Sequence, residues 1–168
     1  MGKIGLFYGS NGGVTQSVAD SIASALKKKG FEVDVKDIAS SSKDDIAGYE
    51  NVIFGTSTWG MGDLQDDWDS FVANLGDIDF GGKKVAYFGT GDQFSYPETF
   101  VDGIGLIDEN VSGAEVIGQW PSDGYDFSDS KAHVNGSFIG LALDEDNQSN
   151  LTDDRISKWV DILAGSFS

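Results

Sequence analysis

Ile4 to Thr15 reads I-G-L-F-Y-G-S-N-G-G-V-T, an apolar run that breaks into small hydroxyl, amide and glycine residues just before a helical pattern begins. That is how a chain builds a phosphate cradle at the C-terminal end of a first parallel strand. Glycines let the backbone turn its N–H groups inward, and a helix entered at Val14 or Thr15 offers unpaired N–H groups with the positive end of its dipole. The cradle holds no Lys or Arg. It therefore lacks the G-x-x-x-x-G-K-[ST] pattern for nucleoside triphosphates and the G-x-G-x-x-G spacing for dinucleotides. A neutral cradle suits one terminal phosphate monoester, held by hydroxyl and backbone donors. A Gly-rich turn between strand and helix also occurs as plain chain geometry, so the rest of the chain has to decide.

Outward from the cradle, strands and helices alternate. Ile4 to Tyr8 reads as a buried strand. Val14, Val18, Ile22 and Leu26 then recur every four residues, with Ala19, Ala23 and Ala25 beside them. Lys27-Lys28-Lys29-Gly30 ends this amphipathic helix with cations at the negative dipole end and a stop glycine. Phe31 to Val35 alternates as a second strand, Val52 to Gly55 is a short buried third, and Leu64, Trp68, Phe71, Val72 and Leu75 form a helical face. Lys84 to Phe88 is a fourth strand. Phe100 to Val111 reads as a helix weakened by Gly103 and Gly105, and Val116 to Gly118 begins a fifth strand. Thr152 is expected to cap a last helix, with Asp153 and Asp154 in its first turn and Ile156, Trp159, Val160 and Leu163 on its inner face. Five strands interleaved with helices imply an α/β three-layer sandwich with a mostly parallel sheet, right-handed crossovers and helices on both faces. The polar, Gly-Asp-Ser-rich stretch 119–137 has little periodicity and reads as a long insertion with a job or a mobile flap. A single domain is expected over 1–168.

Composition narrows the chemistry. With no Cys and one His, the chain has no means to build a thiolate metal site, an iron–sulfur cluster or a disulfide frame. Redox chemistry would have to come from a bound organic cofactor. Eleven Lys plus Arg against 28 Asp plus Glu leave a formal charge of −17. That disfavours nucleic acid and anionic membranes and steers a basic partner toward the protein. No stretch approaches the ~18 consecutive apolar residues of a membrane span, and Met-Gly-Lys followed by a strand lacks a signal peptide's features. A soluble, cytoplasmic monomer is expected.

Two further segments sit where parallel strands end: Thr56-Ser57-Thr58-Trp59-Gly60-Met61-Gly62-Asp63 and Gly89-Thr90-Gly91-Asp92-Gln93-Phe94-Ser95-Tyr96. Either aromatic alone reads as rim packing. Two of them, on two loops at the cradle's end of the sheet, can sandwich a flat heterocycle while loop backbone pairs with its edges. Asp92 is a turn-former after Gly91 that can also meet an imide-like ring edge. Other motifs carry less. Asp144 to Arg155 begins like an EF-hand but lacks Gly at the sixth position and Glu at the twelfth. His133 reads as a surface residue, and no Ser has a histidine partner in a triad context. A phosphoacceptor receiver needs acids at the end of the first strand, where this chain has Phe7 and Tyr8.

At these residues the chain resembles the flavodoxins, of the long-chain group, from Ile4 to the last helix. The likeness rests on Gly-Ser-Asn-Gly-Gly-Val-Thr, Ser-Thr-Trp-Gly-Met-Gly-Asp-Leu-Gln, Tyr-Phe-Gly-Thr-Gly-Asp-Gln and Gly140-Leu-Ala-Leu-Asp-Glu-Asp-Asn-Gln148. The resemblance implies a flavodoxin-like sheet of order 2-1-3-4-5, with the insertion in its fifth strand. Ligands of such open sheets bind beyond the strands' carboxyl ends, a rule that flavodoxins themselves illustrate. It also implies non-covalent FMN, its phosphate on Ser10, Asn11, Gly13 and Thr15, with Gly12 and Val14 in the same cofactor-binding loop, and its ring between Trp59 and Tyr96. Backbone around Thr58, Gly60, Met61 and Gly62, with that of Thr90, Gly91 and Asp92, lines the ring edges, Ser57 is counted among the cofactor-binding residues, and Asp146 lies near the ribityl chain. The family usually has a hydroxyl residue where this chain has Gly12, so backbone donation must carry more of the phosphate. Turning of the Gly60 carbonyl toward the ring on reduction is implied as well. Family members are one-electron shuttles that stand in for ferredoxin, with ferredoxin-NADP reductase or photosystem- and nitrogenase-type proteins as partners. Carboxylates such as Asp63, Asp66, Asp67 and Asp92 would disfavour an anionic reduced ring and lower its potential. An FMN-dependent quinone reductase shares the fold, but it needs a nicotinamide pocket with basic residues nearby, and none is evident.

Overall fold

The computed structural model of the protein describes residues 3–10, 12–59 and 61–167, with the side chain of Trp59 outside that description. The chain opens with β1 (Lys3–Gly9), buried from Ile4 onward on both faces as a central parallel strand must be. The four-residue repeat becomes α1 (Val14–Lys28), with Lys27 and Lys28 in its last turn. After β2 (Glu32–Asp37) comes a short α2 (Lys43–Ala47). Its start is a reciprocal cap in which Ser42 Oγ accepts from Asp45 N–H and the Asp45 carboxylate accepts from Ser42 N–H. Next are β3 (Asn51–Trp59), β4 (Asp63–Leu64), α3 (Asp66–Phe71), β5 (Lys84–Thr90) and α4 (Asp102–Asp108). The chain closes with β6 (Glu115–Val116), β7 (Trp120–Pro121), β8 (His133–Val134), β9 (Ser137–Phe138), β10 (Leu141–Leu143) and α5 (Thr152–Ser166).

The main sheet runs β2-β1-β3-β5-β10, all parallel. Its fifth position is shared: β6 pairs with β5 at Lys84 and Val85, and β10 pairs with β5 at Phe88 to Thr90. The insertion therefore interrupts the fifth strand, giving the expected 2-1-3-4-5 order. Phe54 stacks on Tyr87 at 6.3 Å and meets Trp68 of α3 edge-on at 5.3 Å, on the face that α3 and α4 cover. Phe88 meets Trp159 of α5 on the opposite face, where α1 packs beside α5. Both buried indoles are satisfied, Trp68 Nε1 donating to Gly55 O and Trp159 Nε1 to Gly118 O, each at 2.8 Å. Burying one such side chain contributes about 1.5–3 kcal/mol.

Several boundaries differ from the sequence expectation, each for a physical reason. The third strand is longer than 52–55: Thr56 to Trp59 continue it, because β4 returns antiparallel and pairs Thr58 with Leu64 and Trp59 with Asp63. The helix expected over 100–111 spans only Asp102–Asp108, since Val101 before it adopts a left-handed conformation with φ 49°. Thr152 does not cap α5. A 3-10 turn, Ser149–Leu151, leads the chain in, and the Thr152 hydroxyl is buried without a hydrogen-bond partner among the described residues. The stretch 119–137 is not structureless, for β7, β9 and β8 form a small antiparallel sheet within the insertion.

Candidate functional site

Because its strands are parallel, the sheet presents the ends of β1, β3, β5 and β10 along one edge. A cavity of about 330 Å³ opens there, within the range of small-molecule sites. The first loop contributes Ser10, Gly12, Val14 and Thr15 to its lining. Gly13 begins α1 in the left-handed region at φ 85°, and no side chain caps the helix among the described residues. The first N–H groups of α1 are thus left for an anion. Gly13 N–H itself donates to Ser10 Oγ at 3.0 Å, which folds the loop back on itself. Thr15 is buried, its hydroxyl 3.3 Å from that of Thr90, so the cradle is joined to the third loop. A Cβ at Gly12 would meet nothing within 4 Å. Asn11 lies outside the described residues.

The end of β3 contributes Ser57 and Thr58. Ser57 Oγ is buried without a hydrogen-bond partner among the described residues, an arrangement that costs free energy unless a ligand or water satisfies it. Thr58 Oγ1 accepts from Gly103 N–H at 2.9 Å. Met61 and Gly62 do not line the cavity. Met61 projects outward with 80% of its surface exposed, while Gly62 turns the loop at φ 96°, a conformation glycine alone adopts without strain. Gly60 and the Trp59 side chain lie outside the described residues.

Thr90, Gly91, Asp92 and Tyr96 close the site from the third loop, and Glu145 and Asp146 from the segment after β10. Burial pushes the Asp92 carboxyl up, but hydrogen bonds from Ser95, Asn147 and Phe94 outweigh it and hold Asp92 below the usual carboxylate range. Asp146 is pushed the other way, by burial first and then by the negative charges of Asp92, Asp144 and Glu145. Asp63, Asp66 and Asp67 stay out of the cavity. Asp66 and Asp67 occupy the first turn of α3, where the helix dipole favours them.

Sequence reasoning missed the side chains that fix these two loops to each other. Asp144 is fully buried. Its Oδ2 accepts from Gln93 N–H and Nε2–H at 3.1 and 2.8 Å, and its Oδ1 from the N–H groups of Asp146 and Asn147 at 3.1 and 3.0 Å. Asn147 Nδ2 also donates to Asp92 Oδ1 at 2.8 Å. The carboxylate considered as a calcium ligand is instead saturated by N–H donors, and no metal-holding group of three or more His, Asp or Glu occurs among the described residues. Glu145 was missed as well; its Oε1, like Ser57 Oγ, is a buried oxygen without a hydrogen-bond partner among the described residues.

Among the described residues, neither a cation nor a His lines the cavity. What the arrangement offers is a neutral anion cradle, one aromatic wall at Tyr96, an unsatisfied hydroxyl at Ser57 and backbone around Thr58 and Thr90 to Asp92. That donor set fits a phosphate-bearing flat ring held by stacking and hydrogen bonds.

Comparison with known proteins gives a consistent picture. The family model described as Flavodoxin matches residues 6–159. A flavodoxin of a Nostoc species is 50% identical over 167 residues, covering 98% of this chain and 97% of its own. Helicobacter pylori flavodoxin is 45% identical over 168 residues, covering 100% of both chains. Among solved structures, Fusobacterium nucleatum flavodoxin bound to flavin mononucleotide superimposes with a TM-score of 0.94 at 35% identity, covering 100% of both chains.

Proposed function

The chain belongs to the flavodoxin family, and we propose that it binds one FMN without a covalent link and serves as a low-potential one-electron carrier in place of ferredoxin. The observation that carries this reading is the cavity at the sheet's carboxyl edge, where an uncapped helix start and an unsatisfied Ser57 hydroxyl meet the Tyr96 ring. The N–H groups of α1's first turn, with the hydroxyls of Ser10 and Thr15, hold the phosphate. Ser57 donates to the ligand, and backbone around Thr58 and Thr90 to Asp92 meets the ring edges. Tyr96 and Trp59 cover the two ring faces. When bound, FMN supplies the one-electron chemistry, and the protein sets its potential.

That setting is electrostatic. Asp92, Glu145 and Asp146 line the cavity with no cation among them. One carboxylate at ~10 Å and an effective dielectric near 40 disfavours an added negative charge by about 0.8 kcal/mol before screening. Three together hold the last electron at low potential. The charge of −17 directs docking to basic redox proteins of the ferredoxin-NADP reductase, photosystem or nitrogenase type. No helix among the described residues is long and apolar enough to cross a membrane. Potentiometric titration of the FMN complex tests the reading: two separate one-electron steps are expected, the second well below the first, and a single two-electron step would overturn it.

A further inference from the structure

Asp102 has no task in the reading above, yet its setting is unusual. It is only 4% exposed, and it begins α4 directly after Val101, a fully buried β-branched residue at φ 49°. That conformation is an outlier for such a side chain and persists only where the surroundings enforce it. The enforced turn aims Asp102 between two segments distant in sequence. On one side, Oδ1 accepts from Lys131 N–H of the insertion at 2.8 Å. On the other, a Cβ built on Gly62 would fall 2.8 Å from Asp102 Oδ2 and 3.2 Å from Thr99 Cβ, so the ring-facing loop rests on the carboxylate. The neighbouring Gly103 N–H holds Thr58 Oγ1 at 2.9 Å, and Gly105 lets the Lys131 backbone lie where a side chain would stand, 2.6 Å from its would-be Cβ. One turn of α4 thus supports the loop at both Thr58 and Gly62 and ties it to the insertion.

We propose that Asp102 is a positioning residue for the ring-facing loop: its buried carboxylate, anchored by the insertion, is the floor on which Gly62 turns, and its charge is coupled to the charge on the ring. The proposal rests on the FMN reading for its redox consequence but not for the tie itself. Charged residues lie near Asp102 on the elements packed against it. Lys131 and Asp129, both of the insertion, are the ones that act on its carboxyl, while Asp63 is an exposed residue of β4, the strand that packs against α4. Burial pushes the Asp102 carboxyl above the ordinary range, Asp129 adds to the rise, and the Lys131 N–H and charge oppose it. A group raised in the folded state is most stabilising when protonated and costs stability as pH rises through its folded value. Negative charge added to the ring raises it further, drawing a proton from solvent onto Oδ2. By reciprocity, an ionised Asp102 opposes that charge equally.

The test uses FMN, the parent chain, Asp102→Asn and Asp102→Ala. Asn keeps an oxygen for Lys131 N–H while losing the charge. At neutral pH its equilibrium constant for the second electron should rise roughly fourfold, about 35 mV, as expected for one charge at ~10 Å and a dielectric near 40. The pH dependence of that step should flatten in the acid range. A second potential and pH profile equal to the parent's would overturn the coupling. Carboxyl ¹³C titration of the parent checks it without substitution: the Asp102 signal should titrate at higher pH once the bound FMN is fully reduced, and an unmoved signal counts against it. In the apoprotein, Asp102→Ala should speed hydrogen exchange together at Gly62 and Lys131. Unchanged exchange at both would refute the tie whether or not FMN binds, whereas failure to bind FMN would refute the flavin reading alone.

Discussion

Replacing Tyr96 with Ala probes the ring wall more cleanly than any other change. The third loop closes through the Asp92 carboxylate and main-chain groups: Asp92 Oδ1 accepts from Phe94 and Ser95 N–H, and Tyr96 N–H donates to Asp92 O at 3.0 Å. None of these needs the phenol, so the loop should keep its shape in the variant. Tyr96 leaves 42% of its surface exposed beside the cavity. For an aromatic side chain worth ~200 Å², a ring laid against it removes roughly 80 Å² from water. At ~25 cal/mol per Å² that is about 2 kcal/mol, and stacking adds on the order of 0.5–1.5 kcal/mol. Since the ring will not cover the phenol completely, Tyr96→Ala should weaken FMN binding by about 1–3 kcal/mol, or roughly 5- to 150-fold. Tyr96→Phe should stay close to the parent. Quenching of FMN fluorescence during titration of the apoprotein measures both. If Tyr96→Ala binds within twofold of the parent, Tyr96 packs only at the rim and the ring does not lie against it.

Other expectations follow from the same geometry. Gly12 has open space around its would-be Cβ and a φ outside the left-handed region, so Gly12→Thr should fit and add a hydroxyl donor for a charged phosphate. A gain of about 1.5 kcal/mol for FMN is expected, with riboflavin, which lacks the phosphate, unaffected; equal gains for both would show that the hydroxyl acts elsewhere. Tyr49 O–H donates to Asp34 Oδ2 at 2.6 Å, and that bond is the main cause holding Asp34 below its ordinary value. A depressed carboxyl contributes stability above its unfolded value, about 3.9, and loses it as pH falls. Tyr49→Phe should therefore move acid unfolding, followed by circular dichroism, to higher pH. At the alkaline end, burial and then Asp34 push Tyr49 up to about 12. The parent should lose stability as pH rises from about 10, and the variant should lack that slope. Electron transfer to a basic partner should slow as salt shortens the Debye length below ~10 Å; stopped-flow rates flat across a full salt titration would remove steering from the account.

How much was legible in the sequence depended on how local each signal is. The spacing Val14, Val18, Ile22, Leu26 reports a buried helix face by itself; Val18, Ile22 and Leu26 are buried in α1, while Val14, in its first turn at the cavity mouth, is left exposed. The run from Ile4 announces a central strand for the same reason. Thr56 to Trp59 look like loop because their hydroxyls break the apolar pattern, and only pairing with β4 and β5 makes them strand. The insertion's strands are two residues each, too short to show alternation. Thr-Asp-Asp at 152–154 is a fair capping signal, but the preceding 3-10 turn sends the Thr152 hydroxyl inward. The cradle residues were readable because one loop holds them all. Gln93 and Asp144 were not, since they meet across 51 positions, and Asp102 meets Lys131 across 29. Such partnerships exist only once the sheet has brought its loops together.

The most direct test of the central claim is the chromophore itself. Protein purified without added cofactor, then denatured, should release one flavin per chain whose mass and absorbance are those of FMN, and the apoprotein should rebind FMN in preference to FAD. A colourless chain that ignores FMN, or one that takes FAD instead, would contradict the account at its base.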